Sequence, residues 1–148
     1  INYFPAISQG LIAYDKYRGQ SAEIIKNRAY HYSEKVNNDL RPWLWGGDVT
    51  RYIVKWNGKE FIDYCEGIAN PREPKFFKGP RLLIREITNP SIYAAYTDKE
   101  LYNDPAIIVV LQGSAIPIFA LLGILNSRLA TFFHFNASPK ATKGAFPK

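Results

Sequence analysis

The stretch PAIIVVLQGSAIPIFALLGIL, residues 105–125, contains 21 positions without a charged side chain. That length would be enough to cross a bilayer, but polar and turn-forming residues interrupt its middle at 112–117. We therefore predict a buried strand at 106–111, a turn, and a buried helix over about 115–125 with Ser114 as its N-cap. The stretch indicates the core of a globular domain and no membrane segment.

The flanking residues extend this core. RLLIREI at 81–87 and SIYAAYT at 91–97 have strand composition, and the Asn-Pro pair at 89–90 predicts a turn between them. A second C-terminal helix is expected over about 128–136 with Ser127 as its N-cap. Its aromatic side chains would pack either inward or onto a neighbour that the chain lacks: Phe132, Phe133 and Phe135.

The N-terminal part alternates between apolar and polar segments. Residues 6–13 read as a strand, and YDKYRGQ at 14–20 reads as a polar, glycine-containing loop. A short helix is predicted at about 21–29, with Ser21 as its N-cap and Glu23 in its first turn, where a negative charge suits the helix dipole.

A β-hairpin is predicted at 51–64, where Asn57-Gly58 has the composition of a type I′ turn. The implied register would place Lys55 opposite Glu60, which are oppositely charged. Four large aromatic residues lie near this segment and are expected to pack in the core, with stacking on bases as the alternative: Trp43, Trp45, Tyr52 and Trp56.

These elements predict an α+β fold: a twisted, mostly antiparallel or mixed sheet with a short early helix and C-terminal helices. The length of 148 residues, with 47% hydrophobic and 15% aromatic residues, suits one folded domain spanning 1–148. The chain has no Met and begins at Ile1, so we expect a fragment of a longer enzyme whose catalytic parts lie outside it.

The net charge of +6 is unevenly distributed along the chain. Between residues 72 and 85, five basic residues accompany a single acidic one, Glu73, and residues 128–148 contain basic residues without an acidic one. Such zones suit a phosphate backbone, and a solvated basic surface is the alternative. The five basic residues of the first zone are Arg72, Lys75, Lys78, Arg81 and Arg85.

The single cysteine, Cys65, excludes a disulfide framework and a thiolate zinc site, and it favours a reducing, cytoplasmic compartment. His31 and His134 are far apart in the sequence, so no metal site is expected.

Catalytic patterns are weak. Asp63, Glu73 and Lys75 superficially match the acidic and lysine pattern of metal-dependent nucleases, but Pro74 does not suit the interior strand that holds those residues. The Gly113-Ser114 pair lacks the second glycine of a nucleophile elbow. The Asn-Pro-Pro-Tyr/Phe signature and the glycine-rich cofactor loop of adenine methyltransferases do not occur. The chain alone is predicted to have no activity and no cofactor.

Four phrases in fixed order carry a family resemblance: AYDKYRGQSAEIIKNRAYH at 13–31, LRPWLWGGDVTRY at 40–52, GPRLLIREITNP at 79–90 and LLGILNSRL at 121–129. Over roughly residues 10–148 the chain resembles the TaqI-like C-terminal specificity domain. This is the target-recognition module of bacterial restriction-modification enzymes and DNA adenine methyltransferases. In that family, the phrase at 46–52 would be mainly structural, with Asp48 capping a turn.

The resemblance implies that this chain recognises double-stranded DNA. A catalytic domain of the same polypeptide, which binds S-adenosylmethionine, would flip and methylate an adenine, and a nuclease domain could also be attached. The alternative is a non-catalytic module that binds RNA or a protein.

Candidate DNA contacts are chosen by charge and loop composition. Arg18 is the expected reader of a guanine, because the loop at 14–20 combines side chains that bond to purine edges with Gly19. A solvated surface loop is the alternative. Lys75, Lys78, Lys140 and Lys143 are expected to contact phosphates. The full set of candidates is Lys16, Arg18, Gln20, Lys26, Arg72, Lys75, Lys78, Arg81, Lys140 and Lys143.

Overall fold

The structure is a computed structural model, and it describes residues 5–137. The uncharged stretch at 105–125 forms a strand and a helix, as the sequence predicts. In chain order the elements are β1 (Ile7–Gln9), α1 (Ala22–Asn27), β2 (His31–Tyr32), β3 (Leu40–Leu44), β4 (Phe61–Asp63), β5 (Arg81–Arg85), β6 (Ala94–Thr97), β7 (Tyr102–Asn103), β8 (Ile107–Leu111), α2 (Ile118–Leu125) and α3 (Arg128–Ala137).

The first sheet has the strand order β1-β8-β5-β6, and all of its pairs are antiparallel. In its centre Val109 pairs with Leu83, and both side chains are fully buried. β5 and β6 are the neighbours predicted around the Asn-Pro turn. Helix α2 covers this sheet, with Ile118 and Leu122 packed against Leu82.

The second sheet has the order β2-β4-β3-β7. Strand β7 runs parallel to β3, and the other pairs are antiparallel, so this sheet is mixed. The predicted α+β class is confirmed, with the strands divided between two sheets. Residues 103–107 connect the two sheets, because β7, in the second sheet, ends at Asn103 and β8, in the first sheet, begins at Ile107.

Gly10 lies at this junction. Its N–H donates to the Ile107 carbonyl at 3.0 Å, and the next N–H, from Leu11, donates to the Asn103 carbonyl at 3.0 Å. A Cβ atom at Gly10 would overlap the carbonyl oxygen of Asp104. Only glycine therefore allows the chain to leave β1 here and continue towards the loop at 14–20.

The predicted hairpin at 51–64 is wrong. Gly58 has a φ of 78°, but Asn57 does not share the positive φ that a type I′ turn requires at both central positions. The Asn57 side chain instead accepts a bond from the Lys59 N–H at 2.8 Å. The predicted strand 51–56 forms only single bridges, of which one joins Val54 to Val49.

The other half of the predicted hairpin, β4, pairs with distant partners. Phe61 and Ile62 lie opposite Pro42 and Arg41 of β3, and both are buried. Burial of two large side chains between β2 and β3 outweighs a local turn preference, since each contributes about 1.5–3 kcal/mol.

The start of helix α2 also differs from the prediction. The helix begins at Ile118, and Pro117 rather than Ser114 occupies the N-cap, without a side-chain bond to the first turn. Proline disfavours the helical conformation for the residue before it, which keeps Ile116 out of the helix. The other predicted caps are confirmed, because Ser21 accepts from Ile24 N–H at 3.3 Å and Ser127 accepts from Ala130 N–H at 3.0 Å.

Among the described residues, no single helix is long and apolar enough to cross a membrane. Helices α2 and α3 meet the criteria of length and composition only when taken together, and they are bent by 64° relative to each other.

Asn126, between α2 and α3, fastens the helices to the first sheet. Its side chain accepts from the Ala94 N–H at 3.1 Å and donates to the Ala94 carbonyl at 2.9 Å. The amide is 3% exposed, so it satisfies two buried backbone groups at once. Its own carbonyl accepts from the Arg51 guanidinium at 2.7 Å, which places the segment at 50–52 beside the helices.

We predict that Asn126→Ala destabilises the fold by roughly 1–3 kcal/mol, because the backbone groups of Ala94 lose buried partners. Urea unfolding measures this difference. Asn136→Ala is the matched control, since its exposed amide donates to the Phe132 carbonyl within α3, and it should change stability by less than about 0.5 kcal/mol. Equal losses in the two variants would contradict the role of Asn126.

Candidate nucleic-acid interface

The loop at 14–20 is a defined turn rather than a loose segment. Asp15 caps a 3-10 turn at Lys16–Arg18, with its carboxylate accepting from the Tyr17 N–H at 2.8 Å. Gly19 then takes a φ of 79°. The side chains of Lys16 and Arg18 are exposed, and neither forms an ion pair within the described residues. The loop therefore presents two uncompensated cations to solvent.

Gln20 holds this loop in place. Its amide oxygen accepts from the Asp15 N–H at 2.9 Å, and its amide nitrogen donates to the carbonyls of Ala13 at 2.8 Å and Gly67 at 2.7 Å. The amide is thus fully engaged with the backbone. Gln20 was predicted as a reader of purine edges, but its position favours a positioning role.

The base of the loop pairs with the segment that leads to the second basic zone. Ile12 and Asn70 form an antiparallel bridge, and the Arg72 guanidinium donates to the Gly10 carbonyl at 3.4 Å. Tyr64 donates its hydroxyl proton to the Arg72 carbonyl at 2.7 Å. Arg72 is half-buried, and its side chain helps to hold residues 10 and 72 together.

Arg81 does not suit the DNA contact that the sequence predicts. Its side chain is fully buried, and its guanidinium donates to the carbonyls of Gly79 at 2.8 Å and Leu101 at 3.0 Å. Burial lowers the pKa of Arg81 to about 10, so it still carries its charge at neutral pH. Arg81 therefore belongs to the interior, and we remove it from the candidate contacts.

Lys75 and Lys78 are exposed, but each has an acidic neighbour. Lys75 lies 2.8 Å from the Glu73 carboxylate, and Lys78 lies 3.6 Å from Glu100, which also contacts Arg41 at 3.3 Å. Sequence counting found only Glu73 in this zone. Glu100 comes from a distant part of the chain and reduces the local positive charge further.

Three candidate DNA contacts from the sequence analysis remain: Lys26, Lys140 and Lys143. Lys26 is exposed on α1. Lys140 and Lys143 lie outside the described residues.

Aromatic side chains support the loop from beneath. Trp43 is 1% exposed, and the His31 ring meets its edge with centroids 4.9 Å apart. His31 also stacks on Trp45 at 5.6 Å, and its Nδ1 atom lies 2.8 Å from the Tyr14 hydroxyl. Trp43 is therefore core, as expected. Tyr52, in contrast, is 49% exposed.

Arg28 is a surface cation that the sequence analysis did not select. It is exposed and comes directly after α1, and its guanidinium lies over the Trp45 ring at 4.9 Å. The neighbouring aromatic comes from the end of β3, far along the chain, so local composition carried no signal for this contact. Its sequence neighbour Lys26 was selected on charge alone.

Two acidic side chains that the sequence analysis considered have partners in the structure. Glu73 is engaged with Lys75, and Asp48 accepts from the Trp45 N–H at 2.8 Å as a turn cap, as predicted. Across residues 5–137 there is no group of at least three His, Cys, Asp or Glu residues that could hold a metal ion.

Residues 41–148 match the TaqI-like C-terminal specificity domain family. The chain therefore belongs to this family of recognition domains, which are not catalytic on their own. The match begins later than the resemblance at residue 10, so the loop at 14–20 and helix α1 lie outside it.

A curated protein of the archaeon Methanocaldococcus jannaschii is 32% identical over 123 residues, which cover 79% of this chain. Its name is "Putative type II restriction enzyme and methyltransferase RM.MjaORFECS2P". The chain spans about 10% of the length of that relative. Together the family and the relative support a DNA-recognition module from a restriction-modification context. The expected bacterial source gains no support, because this relative is archaeal.

The partly buried imidazole of His31 predicts a pH dependence of stability. Burial, with a smaller contribution from Arg28, lowers the pKa of His31 from 6.5 to about 4. Protonation therefore favours the unfolded chain, and this contribution to stability is lost as the pH falls from about 6.5 to about 4. Burial raises the pKa of Asp104 to about 6, which has the opposite effect in the same range.

His31→Phe isolates the histidine contribution, because it keeps an aromatic ring against Trp45 and removes the titrating group. Urea unfolding between about pH 4 and 6.5 should show wild-type stability falling relative to the variant as the pH is lowered. A difference between the two proteins that stays constant over this range would contradict a neutral His31 in the folded chain.

Proposed function

We propose that this chain recognises a specific sequence in duplex DNA and directs a catalytic domain of the same polypeptide to that site. The observation that carries the proposal is the membership of residues 41–148 in a specificity-domain family. The exposed cations of the loop at 14–20, which form no ion pair within residues 5–137, support it, because DNA binding requires both phosphate neutralisation and directional donors.

Arg18 is the proposed base reader in this loop. An arginine can donate two parallel N–H groups to O6 and N7 of guanine in the major groove. The Asp15 cap and the Gln20 bonds fix the backbone on both sides of Arg18, which lowers the entropy lost when the loop binds. Lys16 and Lys26 are proposed contacts nearby.

Lys75 and Lys78 are the proposed phosphate contacts in the second zone. Both side chains are about half exposed, at 53% for Lys75 and 55% for Lys78. Their acidic partners are exposed as well, so these ion pairs are weak and can exchange for phosphate. The Arg72 side chain is proposed to position this zone through its bond to the Gly10 carbonyl. Lys140 and Lys143, which lie outside the described residues, are also proposed to contact phosphates.

The catalytic domain is proposed to be an S-adenosylmethionine-dependent adenine-N6 methyltransferase, with or without a nuclease. Support comes from the name of the relative and from its much greater length. Exposed apolar side chains on α3 suit contact with another protein surface, because Phe132 and Phe133 are 65% and 69% exposed rather than packed inward. An enzyme that modifies cellular DNA would act in the cytoplasm of a cell without a nucleus.

We predict that the isolated chain binds duplex DNA more tightly than RNA and transfers no methyl groups. Competition against a fluorescent duplex, followed by anisotropy, measures the first property, and radiolabelled S-adenosylmethionine measures the second. RNA that competes as well as duplex DNA would favour an RNA-binding module. Methyl transfer by this chain would contradict the proposal outright.

Neutralising Lys75 should weaken binding to all duplex sequences alike. Lys75→Gln removes one phosphate contact, so the slope of log K against log salt should become shallower by about one unit. Lys59→Gln is the control, since this exposed lysine lies outside both basic zones and should leave the slope unchanged. An effect confined to one base pair would argue that Lys75 is not a backbone contact.

A further inference from the structure

Arg28 occupies an unusual backbone position. It comes directly after the last residue of α1 with a φ of 50°, where glycine or asparagine is the usual residue. Its N–H donates to the Ile25 carbonyl at 3.3 Å, and its carbonyl accepts from the His31 N–H at 2.9 Å. Hydrogen bonds therefore fix the backbone on both sides of Arg28. The left-handed conformation is sterically unfavourable for arginine, which has a Cβ atom.

The side chain of Arg28 contacts an aromatic ring. Its guanidinium lies 4.9 Å from the centroid of the Trp45 ring. Trp45 is itself fixed, because it stacks on His31 with an interplanar angle of 15° and meets Trp43 edge-on at 5.4 Å. A guanidinium that lies over an aromatic ring still has N–H groups at its edge available for a planar partner.

The Arg28 guanidinium is not part of an ion pair within residues 5–137. Arg28 is exposed. It lines a shallow recess of about 290 Å³ together with polar side chains that include Asn27, Ser33 and Glu60. A phosphate in this recess would be repelled by the Glu60 carboxylate, whereas the edge of a G·C pair offers the guanine acceptors O6 and N7 to Arg28 and the cytosine N4 amino group as a donor to Glu60. The recess therefore suits a base better than a phosphate.

The same aromatic support links Arg28 to the loop at 14–20. The Tyr14 hydroxyl, at the start of that loop, accepts from the Tyr30 N–H at 2.9 Å and bonds to His31. The Tyr14 and Tyr30 rings stack at 5.5 Å with an angle of 3°. The loop that carries Arg18 and the turn that carries Arg28 are therefore joined through the contacts of Tyr14 with Tyr30 and His31.

We infer that Arg28 is a second base-reading residue, which donates two N–H groups to O6 and N7 of a guanine in the major groove. The inference rests on the proposed function. It adds a residue that the sequence analysis did not select and that lies outside the range 41–148 matched by the family. A lysine could keep the charge but could not form this planar, bidentate contact.

Selection of binding sites from a pool of random duplexes tests the inference with the 148-residue chain. The wild-type chain should select a sequence that contains a preferred G·C pair, and Arg28→Lys should lose the preference at that pair by about ten- to a hundred-fold. Affinity for unrelated duplexes should change little, because the charge is kept. Lys59→Ala, which removes an exposed cation outside all proposed contacts, should leave the selected sequence unchanged.

An unchanged selected sequence with Arg28→Lys would overturn the inference while leaving the proposed function intact. Uniform weakening on all sequences would assign Arg28 to the phosphates or to the fold, and would overturn it equally. Failure of the wild-type chain to select any sequence would contradict the proposed function and this inference with it. Near-UV circular dichroism of the tryptophans reports whether the variant keeps the aromatic stack.

Discussion

The close passage of Gly10 over the Asp104 carbonyl is the constraint on which the arrangement of the molecule depends. Here the chain leaves β1, an edge strand of the first sheet. The nearby segment 102–111 connects the two sheets, because β7 belongs to the second sheet and β8 belongs to the first. Asn103 is fully buried there, and its amide donates to the carbonyls of Asp104 at 3.0 Å and Ile107 at 3.3 Å. Any side chain at position 10 would separate these groups and displace the loop at 14–20.

The candidate recognition surface begins immediately after Gly10. Residues 12 and 13 continue from it and pair with Asn70 and Ala69, so the loop at 14–20 starts from a fixed base. Gln20 and Tyr14 then fasten both ends of the loop to the rest of the domain. The cations proposed to contact DNA are therefore carried on a surface loop, but they are placed by buried backbone and aromatic contacts. This arrangement suits recognition, since a pre-ordered loop loses less entropy on binding.

Local signals predicted a good part of the fold. Apolar runs identified β5, β6 and β8, and serine caps identified the starts of α1 and α3, because each of these signals acts within a few residues. The hairpin failed because β4 gains more from burial of Phe61 and Ile62 between distant strands than from the adjacent turn. Ser114 failed as a cap because Pro117 disfavours a helical conformation for the residue before it.

The candidate site was less predictable than the fold. Net charge located the basic zones, but it could not show that the Arg81 side chain is buried or that Glu100, which is distant in sequence, forms an ion pair with Lys78. It also missed Arg28, since the value of that side chain comes from Trp45, which folding alone brings close.

Hydrogen exchange of the chain with and without its selected duplex tests most directly whether the loop and helix α1 form the DNA-binding face. The account predicts added protection of amides in residues 14–31 and 67–78, with exchange in α2 and α3 unchanged. Protection confined to α2 and α3, with the loop at 14–20 unaffected, would contradict it.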